Sequence, residues 1–229
     1  LMDNPEVFCS IPGKVMLAGE YTAIEGGSTL AFTVDRRLVI KAQRSQDSYF
    51  KIHSNLWPQP FISKLDSPLP LHLEHHPILS TILDYKLQKK TLPLEIEVKS
   101  DLDIKAGIGS SSALRTGLLL ILEAFNKEEF TSQFSLEELW TLSHRARNLQ
   151  KKQQQLASGY DIITQLSGGM VNFQPQWQKK PGKIYQLKTS KENLDRIFRF
   201  YINPKGGAKT QEVLPKTWSW LRKKNKIEE

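Results

Sequence analysis

Residues 107–113 read Gly-Ile-Gly-Ser-Ser-Ser-Ala, two glycines and three hydroxyls in seven positions. They stand between a strand-like run and a strongly apolar helical run. A small-residue loop that opens a helix brings several backbone N–H groups close to one anion, and the helix N-terminus adds a favourable dipole. Gly107, Gly109, Ser110, Ser111 and Ser112 are therefore candidates for holding nucleotide phosphates, and a nucleotide site points to phosphoryl transfer. Taken alone, the pattern is equally a helix start capped by serine. Neither the G-x-x-x-x-G-K-[ST] loop nor the Rossmann fingerprint occurs in the chain.

Two further segments bear on that choice. The chain reads Pro12-Gly13-Lys14-Val15-Met16-Leu17-Ala18-Gly19-Glu20-Tyr21 near its start, followed by Glu25-Gly26-Gly27. It reads Ala157-Ser158-Gly159-Tyr160-Asp161-Ile162-Ile163-Thr164-Gln165 later, followed by Gly168-Gly169. With residues 107–113 between them, these three segments in this order resemble the GHMP kinase superfamily, named for galactokinase, homoserine kinase, mevalonate kinase and phosphomevalonate kinase. Residues 12–21 resemble its first motif, 107–113 its phosphate loop, and 158–161 the segment with its catalytic aspartate.

The resemblance implies an ATP- and Mg²⁺-dependent kinase of a small alcohol or phosphorylated alcohol in isoprenoid precursor synthesis. It implies Asp161 as the base or orienting carboxylate for the substrate hydroxyl, and Lys14 as the cation beside the transferring phosphoryl group. Ser111 matches the metal-associated serine, while Gly107, Gly109, Ser110 and Ser112 match the phosphate contacts. Glu20, Tyr21, Ser158 and Gly159 fall on the substrate side. The family's mevalonate kinases carry a Mg²⁺-binding glutamate eleven residues before the aspartate, and here that position is Gln150. An amide oxygen is a weaker ligand for a hard cation than a carboxylate. With Gly19-Glu20-Tyr21, this departure leans toward the phosphomevalonate kinases. Arg36, Arg37, Lys151 and Lys152 are candidate contacts for an extra substrate phosphate, with solvated charge as the plainer reading.

Composition narrows the alternatives. The 229 residues are 39% hydrophobic, enough for a sizeable core. Cys9 is the single cysteine, so no intrachain disulfide forms, which suits a reducing cytoplasm. The first residues lack the basic and apolar regions of a signal peptide, and the run at 118–122 is too short to span a bilayer, so no membrane role is expected. A net charge of +8 would attract anionic partners, either phosphorylated metabolites or nucleic acid. No aromatic-interleaved basic stretch supports single-strand binding, which ranks a nucleic-acid module last. A non-catalytic relative that binds nucleotide or a partner ranks second, and a homodimer is left open. His72, His75 and His76 lack the further ligands of a zinc site.

The elements that must carry these residues read as mixed α/β (α+β). Short strands are expected at 7–11 and 14–17, parted by a Pro-Gly turn. A long strand is expected at 29–44, a weaker one at 50–53, and a surface loop at 54–70. A helix is expected at 77–89, and 94–98 alternates as a half-buried strand does. The helix at 111–125 is apolar nearly all round and should be buried. Ser135 and Glu138 form a capping-box pattern for a helix running to about residue 154. A short helix at 158–166 stops at Gly168-Gly169, and strands follow at 170–173, 183–187 and 196–202. A last helix at 209–221 is interrupted by Pro215. The resemblance implies that 5–190 form the ATP-binding N-terminal domain and that 191–229 begin an incomplete or reduced ferredoxin-like domain, with no counterpart to the family's third, glycine-rich motif.

Overall fold

A computed structural model describes residues 5–20, 22–64, 81, 93–127, 135, 137–138, 141, 158–175 and 182–188. The expected elements at 77–89, 142–154 and 191–229 lie outside the described residues, apart from Thr81, which is helical.

Alternation of β-branched and aromatic residues sets the strands. They are β1 (Val7–Ala18), β2 (Thr29–Arg44), β3 (Tyr49–Ser54), β4 (Phe61–Lys64), β5 (Leu94–Ser100), β6 (Met170–Gln174) and β7 (Lys183–Leu187). They form one sheet in the order β4-β3-β5-β2-β6-β7, with β1 also paired to β2. The long β2 organises it. Residues 38–42 pair with both β1 and β5, and residues 30–32 with both β1 and β6. One edge of β2 is therefore given to β1, and the other is shared end to end by β5 and β6. Among the described strands, β3 and β5 are the one parallel pair. A Thr22–Glu25 3₁₀ turn links β1 to β2.

Two helices described over their full length pack on this sheet. α1 (Ser110–Lys127) buries Leu114, Leu118, Ile121, Leu122 and Phe125 against Ile11, Leu38, Ile40, Ile52 and Ile96 of the sheet. α2 (Tyr160–Ser167) adds Ile162 to that core, while Ile163 packs in a second cluster with Val171 and Phe173. Gly168, at φ 70°, ends α2 and donates its N–H to Thr164 O at 3.0 Å.

Among the described residues most expected elements stand where the pattern placed them, including β2 over its full length. Two differ. The two short strands around Pro12-Gly13 are one continuous β1, because the Pro-Gly step is a register shift and not a turn. Pro12 faces Arg37 while Gly13 faces Val34, so β2 carries two extra residues there. A bulge lets the ladder pass a proline, which has no N–H to give. The loop expected at 54–70 contains β4, an edge strand on β3. Ser135 and Glu138 do form a reciprocal capping box. Ser135 N–H donates to Glu138 Oε2 at 2.7 Å, and Glu138 N–H donates to Ser135 Oγ at 3.2 Å.

Candidate functional site

Three pieces of chain meet where the bulged part of β1, the loop before α1 and the start of α2 converge. Lys14 follows the bulge directly and is buried, an unusual state for a lysine. Its backbone N–H donates to Ile108 O at 2.9 Å, which ties β1 to the loop. Its ammonium lies 3.0 Å from Asp161 Oδ1 and donates to the Tyr160 hydroxyl at 2.7 Å. The two residues expected to act together are thus brought together across 147 positions of sequence. Asp161 Oδ1 is buried, paired by charge with the Lys14 ammonium, and close enough for its carboxylate to act on the Tyr160 hydroxyl.

The loop packs against the same lysine. Gly109 has φ 80°, and a Cβ there would stand 2.9 Å from Lys14 Cε. Glycine is required both by the conformation and by the close approach. Gly107 also has positive φ, at 70°, but a Cβ there would meet nothing within 4 Å among the described residues. Ser111 is exposed and Ser110 half-buried at the first turn of α1, where backbone N–H groups have no intrahelical acceptor. Ser112 is turned the other way. It is buried, and its hydroxyl donates to Gly109 O at 2.9 Å. Its side chain shapes the loop and does not line its outer face.

Ser158 and Gly159 are buried immediately before α2, and Gly159 takes φ 82° as the N-cap. Asp161 therefore sits in the first turn of α2, where the helix dipole favours a negative charge. Glu20 is exposed after β1, near enough for its charge to act on Tyr160. Tyr21, Gln150, Lys151 and Lys152 lie outside the described residues, as do His72, His75 and His76. Arg37 is engaged elsewhere, donating to Ser10 Oγ at 2.7 Å and to Ser10 O at 3.0 Å.

Three residues of the site were not singled out by sequence reasoning. Tyr160 bonds Lys14, and its ring lies 4.8 Å from the ammonium. Burial, and then the Asp161 charge, push its hydroxyl far above the usual phenol range, so it stays protonated. Arg115 is fully buried on α1. Burial lowers its pKa to about 10 against the opposing pull of Asp161, so it remains a cation at neutral pH. Gln165 is buried one turn beyond Asp161, and its side-chain amide donates to Pro12 O at 3.0 Å and to Gly109 O at 3.1 Å. Its signal was its spacing, since i and i+4 share one helix face. For Arg115 the signal was a charge set directly before the apolar run of α1.

The arrangement sets a buried cation against the glycine- and serine-rich loop that opens α1, with a carboxylate 3.0 Å from that cation. Residues 78–169 match the GHMP kinases N terminal domain. The chain is 25% identical over 211 residues to a mevalonate kinase of Archaeoglobus fulgidus, covering 92% of this chain and 62% of that protein. The fold is similar to that of the Methanococcus jannaschii mevalonate kinase, with TM-score 0.59 at 16% identity over 82% of this chain and 57% of that one. It is also similar to a Streptococcus pneumoniae phosphomevalonate kinase in complex with phosphomevalonate and AMPPNP, with TM-score 0.56 at 17% identity over 73% of this chain and 49% of that one. The chain spans between about half and three-fifths of the length of the curated relatives it matches. No helix among the described residues is long and apolar enough to cross a membrane.

Proposed function

We propose, from the premise that the chain carries a GHMP kinase N-terminal domain, that it is the nucleotide-binding part of an ATP-dependent kinase. The acceptor in this reading is mevalonate or phosphomevalonate. One observation carries it: Lys14, 3.0 Å from Asp161, is packed directly against the glycine of the phosphate loop.

Phosphoryl transfer depends mainly on positioning and on stabilising charge. The outward N–H groups of the first turn of α1 and the open face at Gly107 suit a polyphosphate. Lys14 places positive charge where charge builds on the transferring group. Asp161 orients the acceptor and takes its proton when the acceptor is a hydroxyl. The acceptor oxygen forms the new bond to phosphorus, the bond from the γ-phosphorus to the bridging oxygen breaks, and ADP leaves. Arg115 keeps a second buried cation close enough to feel the charge of Asp161. The exposed hydroxyl of Ser111 is a hard oxygen donor of the class Mg²⁺ takes, and it would help hold that ion. Mg²⁺ would supply neutralisation of the nucleotide phosphates.

The test is transfer of labelled γ-phosphate from ATP to mevalonate and to phosphomevalonate, side by side, with Asp161→Asn as control. Asp161→Asn should lower turnover about 10²–10⁴-fold at matched folded fraction, the usual worth of a positioned acid or base, and should also lower the melting temperature because it leaves the buried Lys14 ammonium without its partner charge. Nucleotide binding without transfer to either acceptor would replace this reading with a non-catalytic one. Near-parental turnover in Asp161→Asn would remove Asp161 from its role.

A further inference from the structure

Gly109 O accepts three hydrogen bonds: from Ala113 N–H at 2.9 Å, from Ser112 Oγ at 2.9 Å and from Gln165 Nε2 at 3.1 Å. A trans peptide points its C=O and the following N–H in opposite directions. Holding Gly109 O inward therefore points the Ser110 N–H outward, to the face where an anion would lie. Ile108 O is held the same way by Lys14 N–H at 2.9 Å, which turns the Gly109 N–H away from β1. Two of the three donors to Gly109 O belong to α1 itself. The third comes from another helix.

That third donor has a second bond, to Pro12 O at 3.0 Å. Both its acceptors are carbonyl oxygens, so the amide orientation is fixed. Flipping it would set Gln165 Oε1, which has no partner among the described residues, against two lone-pair-bearing oxygens. Pro12 is the residue of the β1 bulge whose neighbour-but-one is Lys14. Asp161 lies one turn back on α2, an axial step of about 6 Å. The same face of α2 thus presents Asp161 to the Lys14 ammonium and Gln165 to the loop and the bulge.

We propose that Gln165 is a positioning residue: its carboxamide clamps the phosphate loop and the β1 bulge to the helix that carries Asp161, aims the Ser110 N–H outward and fixes the separation of the donor and acceptor halves of the site. This rests on the kinase reading for its purpose, though not for its geometry. Gln165 touches neither reactant and acts through the backbone of Gly109 and Pro12.

The test uses the whole chain with Gln165→Leu and the near-isosteric Gln165→Glu. Hydrogen exchange is read without nucleotide, and Mg²⁺–AMPPNP affinity by calorimetry. Expected is faster exchange at the Ala113 amide, while amides 118–122 inside α1 keep their protection. AMPPNP affinity should fall roughly tenfold, as for two buried hydrogen bonds lost, and the KM for ATP should rise while that for the alcohol holds. Gln165→Glu should be the weaker binder of the two, because an ionised carboxylate both lacks a donor and sets negative charge against two carbonyl oxygens. Parental exchange at Ala113, or acceleration spread evenly through α1, would overturn the clamp whatever the turnover. A parent chain that neither binds AMPPNP nor transfers phosphate would sink the kinase reading instead, and Ala113 exchange alone would then decide the clamp.

Discussion

Gly109→Ala adds one methyl group at the point where the loop and the lysine touch. Two costs can be separated. The first is conformational: Gly109 sits at φ 80°, and an L-residue in the left-handed region costs about 1–2 kcal/mol. For a domain of this size each kcal/mol lowers the melting temperature by about 2–4 °C. The second is steric and falls on Lys14. The new Cβ would stand 2.9 Å from Lys14 Cε, 3.0 Å from Lys14 Cγ and 3.1 Å from Ser112 Oγ. Carbon atoms settle about 3.5–4.0 Å apart, so the lysine stem must retreat by up to about 1 Å. Its ammonium is held at 3.0 Å by Asp161 and at 2.7 Å by Tyr160, and cannot retreat without loosening one of them. A misplacement of about 1 Å at a reacting centre can cost on the order of 10²-fold in rate.

Gly168→Ala is the control for backbone strain without the steric contact. Gly168 has φ 70° and ψ 164°, ends α2 away from the lysine, and among the described residues has nothing within 4 Å of its Cβ position. Both variants should melt low through backbone strain, about 1–2 kcal/mol for Gly109→Ala and about 1–3 kcal/mol for Gly168→Ala, whose φ and ψ lie in a region that L-residues scarcely enter. Only Gly109→Ala should also lose on the order of 10²-fold in initial rate of labelled-phosphate transfer. Equal rates in the two variants at matched folded fraction would refute the steric link from Gly109 to Lys14.

Other consequences are as direct. Gly19→Ala should be among the most damaging small changes in the chain, because its φ is 89° and its Cβ would fall on Ser28 O and 2.9 Å from Thr29 Cα, both backbone atoms. A loss of about 2–4 kcal/mol, read as a lower urea midpoint, is expected, and a parental midpoint would contradict it. Burial, partly opposed by Arg37, pushes the Cys9 thiol from 9.0 up to about 12. The folded chain therefore keeps a proton that the unfolded chain gives up, so stability is intact below pH 9.0 and falls as pH climbs toward 12. The slope attributable to this thiol approaches about 1.4 kcal/mol per pH unit. Unfolding curves of Cys9→Ala should be flatter over that interval, and an identical slope would show that the thiol is not protected.

Local signals carried much of the fold. β2 announced itself by β-branched residues across 29–44, β5 by strict alternation, and α1 by its unbroken apolar run. The pairing of Lys14 with Asp161 came from motif resemblance, not from spacing, since nothing local links residues so far apart. The continuous β1 was illegible because Pro-Gly signals a turn unless a partner strand supplies a bulge, and only β2's register shows that it does. Gln165 and Arg115 were missed for related reasons. Amide bonds to two remote carbonyls leave no trace in composition, and a cation among leucines gives no sign of which carboxylate its charge will meet.

The sharing of one edge of β2 between β5 and β6 has a consequence for how the chain is made. β6 meets Thr29–Phe32 from far down the sequence, and the Thr29 hydroxyl bonds Phe173 O across 144 positions. At ribosomal rates of about 5–20 residues per second, that stretch of β2 waits roughly 7–30 s for its partner. During this interval an apolar strand edge holding Ala31 and Phe32 is exposed, the kind of template on which nascent chains pair with one another. Yield in the cell should therefore depend on chaperone capacity and translation speed between β5 and β6 more than on the stability of the finished sheet.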